Sequence, residues 1–149
     1  MNKKEKLRKK LLRQLTGEDV VFVAETIEKT DPDLPKGYSP KNGRDLYRRM
    51  ARDIVTEAMK SSEGDEFNVY FDNHTSLTKS AVNGIMDYAS ENSMKRYNEA
   101  KQLRSADEPL LQIHDFPTGA VGEHAEDGVD ECRDIILPKL KEAVIGCRK

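Results

Sequence analysis

A chain of 149 residues that is 36% hydrophobic and 35% charged suits one domain with a thin core. No apolar run approaches the roughly 20 residues of a membrane-spanning helix, and the basic start lacks the apolar stretch of a signal peptide, so the expectation is a soluble cytoplasmic protein. The net charge of −2 argues neither for nor against nucleic acid, but its distribution is polarised. Residues 1–13 hold Lys3, Lys4, Lys6, Arg8, Lys9, Lys10 and Arg13 against Glu5 alone. Residues 123–134 hold Glu123, Glu126, Asp127, Asp130, Glu131 and Asp134 against Arg133 alone.

Residues 3–15 read as an amphipathic helix, with Leu7, Leu11 and Leu15 on one face, Leu12 beside them and Gly17 as the stop. Its basic residues are either a solvated face or, through Lys9 and Lys10, phosphate contacts to nucleic acid. The apolar, β-branched run 20–24 fits a strand covered on both faces, continuing through Ile27 toward Lys29. Three prolines and two glycines make 31–43 a loop. Over 44–60 adjacent apolar pairs recur every four residues, from Leu46/Tyr47 to Ala58/Met59, which predicts a helix with a wide buried stripe.

Phe67, Val69 and Phe71 alternate in the next strand, which ends in Asp72. In open α/β sheets ligands collect beyond such carboxyl ends. Thr75 or Ser76 is the expected cap of a helix whose face is Leu77, Ala81, Ile85 and Tyr88/Ala89, with Gly84 its weak point. A weak strand is expected near Ala100 to Leu103. Pro109 opens another helix, which Pro117 should kink or end. A final helical region is expected from Val129 to Val144, with Cys132, Ile136, Leu140 and Ala143/Val144 on one face and a bend at Pro138. Along a straight helix Cys132 and Cys147 would lie roughly 22 Å apart, so free thiols are expected.

Alternating strands and helices predict an α/β fold: a small, mainly parallel sheet with packed helices and right-handed crossovers. The chain reads as one domain, with a basic helix over 1–17, an α/β region over 18–125 and a helical region over 126–149. It contains no Ser-His-Asp spacing, glycine-rich phosphate loop or CxxC pair, which weighs against a P-loop, a dinucleotide fold and a zinc ribbon.

Four pieces, in order, carry a resemblance. They are the strand end at 23–29, the helix with Leu46-Tyr47, the stretch 69–77 around Asp72, and the stretch 105–121. In the last, Ser105, Pro109, Gln112, Asp115, Gly119 and Ala120/Val121 fall into one frame. Together they resemble the Domain of Unknown Function 3800 family of the ribonuclease H-like superfamily, over roughly residues 18–125. His114 stands where a small residue is usual, Pro117-Thr118 replace an apolar-small pair, and Arg104 stands where an acid often precedes the Ser.

The resemblance implies a ribonuclease H-like fold and a metal-dependent nuclease or phosphoesterase. Such nucleases use two metals in an in-line displacement; Asp72 would be the strand-end ligand and Asp115 the helix ligand of Mg²⁺ or Mn²⁺, enough for one metal and a poor basis for two. His74 and His114 stand beside them for a softer metal such as Zn²⁺ or Mn²⁺. Lys29 would be a phosphate contact. Gln112 reads as bonded to a backbone group, and Asp72 reads alternatively as a cap of the turn that follows it.

Such proteins begin with a strand bearing Asp-Glu-Ser-Gly and a second strand, and residues 1–19 hold neither. The expected function is therefore an incomplete or inactive relative acting as a binding or assembly module. The alternative is an active nuclease that takes a further ligand from a partner. In the family's strand order the absent hairpin separates the Val20 strand from the Phe67 strand. These two must then pair directly or through another chain, and a homo-oligomer through an exposed edge or face is expected.

Overall fold

The computed structural model describes residues 2–146. Helix α1 (Lys3–Thr16) starts at Asn2, whose side chain accepts the Glu5 N–H at 2.8 Å, and stops at Gly17 as expected. Strand β1 (Phe22–Ile27) follows. Helix α2 (Gly43–Ser61) is capped by Asn42 and leads to β2 (Glu66–Asp72). Helix α3 (Lys79–Ser93) is capped by Thr78, whose Oγ1 accepts the Ala81 N–H at 3.1 Å; Thr75 and Ser76 lie in the preceding turn. Its buried stripe is Val82, Ile85, Met86 and Ala89, one residue round from the expected face. Tyr88 is left outside, where the Arg52 guanidinium lies 3.9 Å from its ring centre.

Strand β3 (Arg96–Leu103) is longer than expected. Helix α4 (Pro109–Asp127) does not end at Pro117 but continues past it, and α5 (Glu131–Ile136) is short. The expected helix over 129–144 is corrected here. Pro138 sits in a single 3₁₀ turn, and residues beyond it form strand β4 (Leu140–Ile145). Proline supplies no N–H to continue a helix, and the β-branched Val144 and Ile145 suit the parallel pairing with β1 that wins. Cys132 is buried as a free thiol, and Cys147 lies outside the described residues. None of the described helices is long and apolar enough to cross a membrane.

The fold is α/β with parallel pairing throughout, but the sheet is divided. β1 pairs with β4, from Phe22 opposite Leu140 to Ile27 opposite Ile145. β2 pairs with β3, with a bulge at Phe67/Asn68. The two pairs are separate two-stranded sheets, so β1 and β2 do not pair directly.

Each half-sheet has its own core. Phe71, Met59, Val82, Ile85, Met86 and Ala89 pack between β2 and helices α2 and α3. Leu12, Ala120, Val121, Cys132 and Ile136 pack α1, α4 and α5 together, with Phe22 and Ala24 of β1 against them. Side chains alternate along a strand, so Glu25 points the other way and meets Asp53 of α2. Helices thus cover both faces of β1.

The polarised charge is spent partly inside the molecule. Arg8 pairs with Glu123 of α4, and Lys9 pairs with Glu131 at the start of α5. The hydrogen bond to Glu123 raises the Arg8 pKa against the cost of burial. The Lys9–Glu131 hydrogen bond likewise raises the Lys9 pKa and lowers that of Glu131.

Candidate binding cleft

Between the two half-sheets lies a cleft of about 510 Å³. It is lined by consecutive residues of both inner strands, 22–26 along β1, with Val21 just ahead of it, and 69–72 along β2. A group resting on the face of a sheet meets every second residue, because side chains alternate. Consecutive lining residues mean that the strand edges, with their backbone N–H and C=O groups, face the cleft. Ala51, Ile54 and Val55 of α2 wall it on the side to which Glu25 points. Leu111, Pro117 and Val121 of α4 wall it on the opposite side, to which Phe22 and Ala24 point. The lining is mainly apolar.

Its polar lining includes Glu25, Thr26, Asp72 and His114. Glu25 of β1 sits half-buried against Asp53 of α2, and the Tyr38 hydroxyl donates to Asp53. Burial, then the Asp53 charge and the hydrogen bond between the two carboxyls, push Glu25 up to about 8, with Arg52 opposing. Glu25 therefore keeps its proton near neutral pH. Burial also pushes the Tyr38 hydroxyl up to about 12, helped by its bond to Asp53. Glu25 Oε1, Thr26 Oγ1 and Arg52 Nε are buried and without a hydrogen-bond partner.

Asp72 and His114 both line the cleft and are exposed. Tyr47, also on the lining, stacks on the His74 ring with centroids 4.0 Å apart, and burial followed by the Asp72 charge raises its pKa. The turn after Asp72 is closed by His74, whose Nδ1 accepts the Ser76 N–H at 3.0 Å. Asp115 lines a different depression, with Arg8, Glu123, Glu126 and Asp127. Neighbouring residues on a helix are turned by about 100°, so His114 and Asp115 of α4 look in different directions. Among the described residues no group of three or more His, Cys, Asp or Glu side chains is placed to hold a metal ion. These donors do not fit a two-metal centre.

The remaining expected site residues are dispersed. Lys9 is buried against Glu131, while Lys10 and Lys29 are exposed. Gln112 donates through Nε2 to the Ala106 carbonyl at 3.3 Å, a backbone partner as anticipated. The Ser105 carbonyl accepts the Glu108 N–H in the 3₁₀ turn before α4.

Sequence reasoning missed the Glu25–Asp53 pair. One signal was available: Glu25 is the only charged residue in the run 20–27. No protein-family model, curated protein or solved structure matches this chain.

Proposed function

We propose that the chain is a binding or assembly module related to the ribonuclease H-like nucleases and lacking their complete acidic site. The observation that supports this reading is the cleft itself: an apolar space inside the fold, bounded by two strand edges and two helices. Open edges are pairing surfaces, so the partners to consider are polypeptides, a second copy of this chain among them. Nucleic acid is the weaker partner, because Lys9 is committed to Glu131.

The test is binding of an apolar dye, anilinonaphthalene sulfonate, to the full chain. Thr118 is an exposed α4 residue at the cleft, and Thr118→Trp should fill it and remove most of the dye signal. Equal dye binding by parent and variant would place any binding elsewhere and sink the proposal.

A second reading is favoured by one observation, that Asp72 and His114 line the same cleft. In it the chain is a metal-dependent hydrolase of nucleic acid completed by a carboxylate from a partner. Its signature is Mg²⁺- or Mn²⁺-dependent cleavage of DNA or RNA that Asp72→Ala abolishes. Cleavage by the pure chain alone would displace the non-catalytic reading.

A further inference from the structure

We infer that the cleft takes one extended β-strand from a separate polypeptide, hydrogen-bonded to β1 on one side and β2 on the other. The two half-sheets would then become a single five-stranded sheet in the order β4, β1, guest strand, β2, β3. This deepens the binding reading above and rests on it.

The argument starts from backbone groups. β1 has a strand neighbour only in β4, and β2 only in β3, among the described residues. The opposite edge of each is the one whose consecutive residues line the cleft. A strand edge presents N–H and C=O groups at a fixed repeat along its length. A small apolar ligand would bury these groups without satisfying them, at a cost for each. A guest helix spends its backbone bonds internally and has none to offer. An extended chain carries the matching repeat on both of its edges at once, and the edges here need it on both sides.

The walls say what side chains the guest carries. Its residues would alternate between the α2 wall (Ala51, Ile54, Val55) and the α4 wall (Leu111, Pro117, Val121). Both walls are apolar, so the guest reads as a continuous apolar, β-branched run, the pattern of a strand buried on both faces. At roughly 3.3 Å per residue, about six residues match the length of β1.

The experiment pans a display library of random twelve-residue peptides on the full chain, with Thr118→Trp as counter-selection. The best peptide is then synthesised twice, once unmodified and once N-methylated at alternate residues. The expected winner is an apolar run that slows amide exchange in both β1 and β2. N-methylation removes its donors on one edge and should weaken binding about tenfold or more.

Equal binding by the N-methylated peptide overturns the guest strand, because contact would not then run through the backbone. So does protection of one inner strand alone, or a library that yields no binder. If the apolar dye still binds in those cases, the general binding reading survives and only the strand is lost. Protection of both edges in the concentrated chain without peptide, together with a dimeric mass, assigns the cleft to a second copy and overturns the separate partner. The methylation comparison uses the parent protein, so it stands even if Thr118→Trp fails to fold.

Discussion

Glu25 on β1, which lines the cleft, faces Asp53 on α2, and the Tyr38 hydroxyl donates to Asp53. Burial first, then the Asp53 charge, holds Glu25 at about 8, far above an ordinary carboxyl. An acid with a higher pKa folded than unfolded takes up a proton on folding. Its stabilisation is full below the unfolded value and is lost as pH rises through about 8. Glu25→Gln keeps the neutral shape and cannot ionise. It should flatten this slope and melt a few degrees above the parent at pH 9, about 1 kcal/mol after allowing for solvent at a half-open site. Parent melting that does not change between pH 5 and 9 would contradict the raised Glu25 pKa.

The divided sheet predicts divided stability. Ile136 and Met86 are both fully buried, one in each core. Truncating either to Ala should cost about 2–5 kcal/mol. Amide exchange should show where the loss falls: Ile136→Ala speeds β1 and β4 more than β2 and β3, and Met86→Ala does the reverse. If both variants speed all four strands equally, the halves are one cooperative unit despite the cleft.

Two glycines should respond with opposite signs. Gly84 lies inside α3, and a Cβ there meets nothing within 4 Å, so Gly84→Ala should stabilise by about 1 kcal/mol. Gly128 ends α4 at φ 68°, where an L side chain is strained even in open space. Gly128→Ala should cost about 1 kcal/mol. Denaturant midpoints at unchanged slope measure both.

With no three-donor cluster among the described residues, a chelator should leave the melting temperature where it is, and added Mn²⁺ should not raise it. A Tm that falls by several degrees in chelator would reveal a structural metal.

The chain order of elements up to α4 was legible because it is written locally. The β-branched run ahead of Lys29, the paired apolar positions of α2 and the alternation of Phe67, Val69 and Phe71 each state a period. The backbone role of Gln112 was legible as well. β4 was not, because Leu140–Ile145 also satisfies a helical pattern and only its pairing with β1 decides. Pro117 did not break α4; it is buried there and walls the cleft. In the sequence the basic start and the acidic segment look like a polarised surface. In the fold Arg8 and Lys9 reach across to Glu123 and Glu131.

The residue pattern by itself determined the class of the fold, since local periods choose helix or strand and alternation of the two implies parallel pairing. The resemblance left β1 and β2 to pair directly or through another chain. Only the tertiary structure decided that the two do not pair with each other. β1 and β2 sit in separate half-sheets across a cleft walled by α2 and α4, Asp72 and Asp115 open onto different depressions, and Glu25 is pushed up to about 8 by burial and by Asp53. Those relations join residues far apart in the chain, and they are set by how helices pack over a split sheet, which no local period encodes.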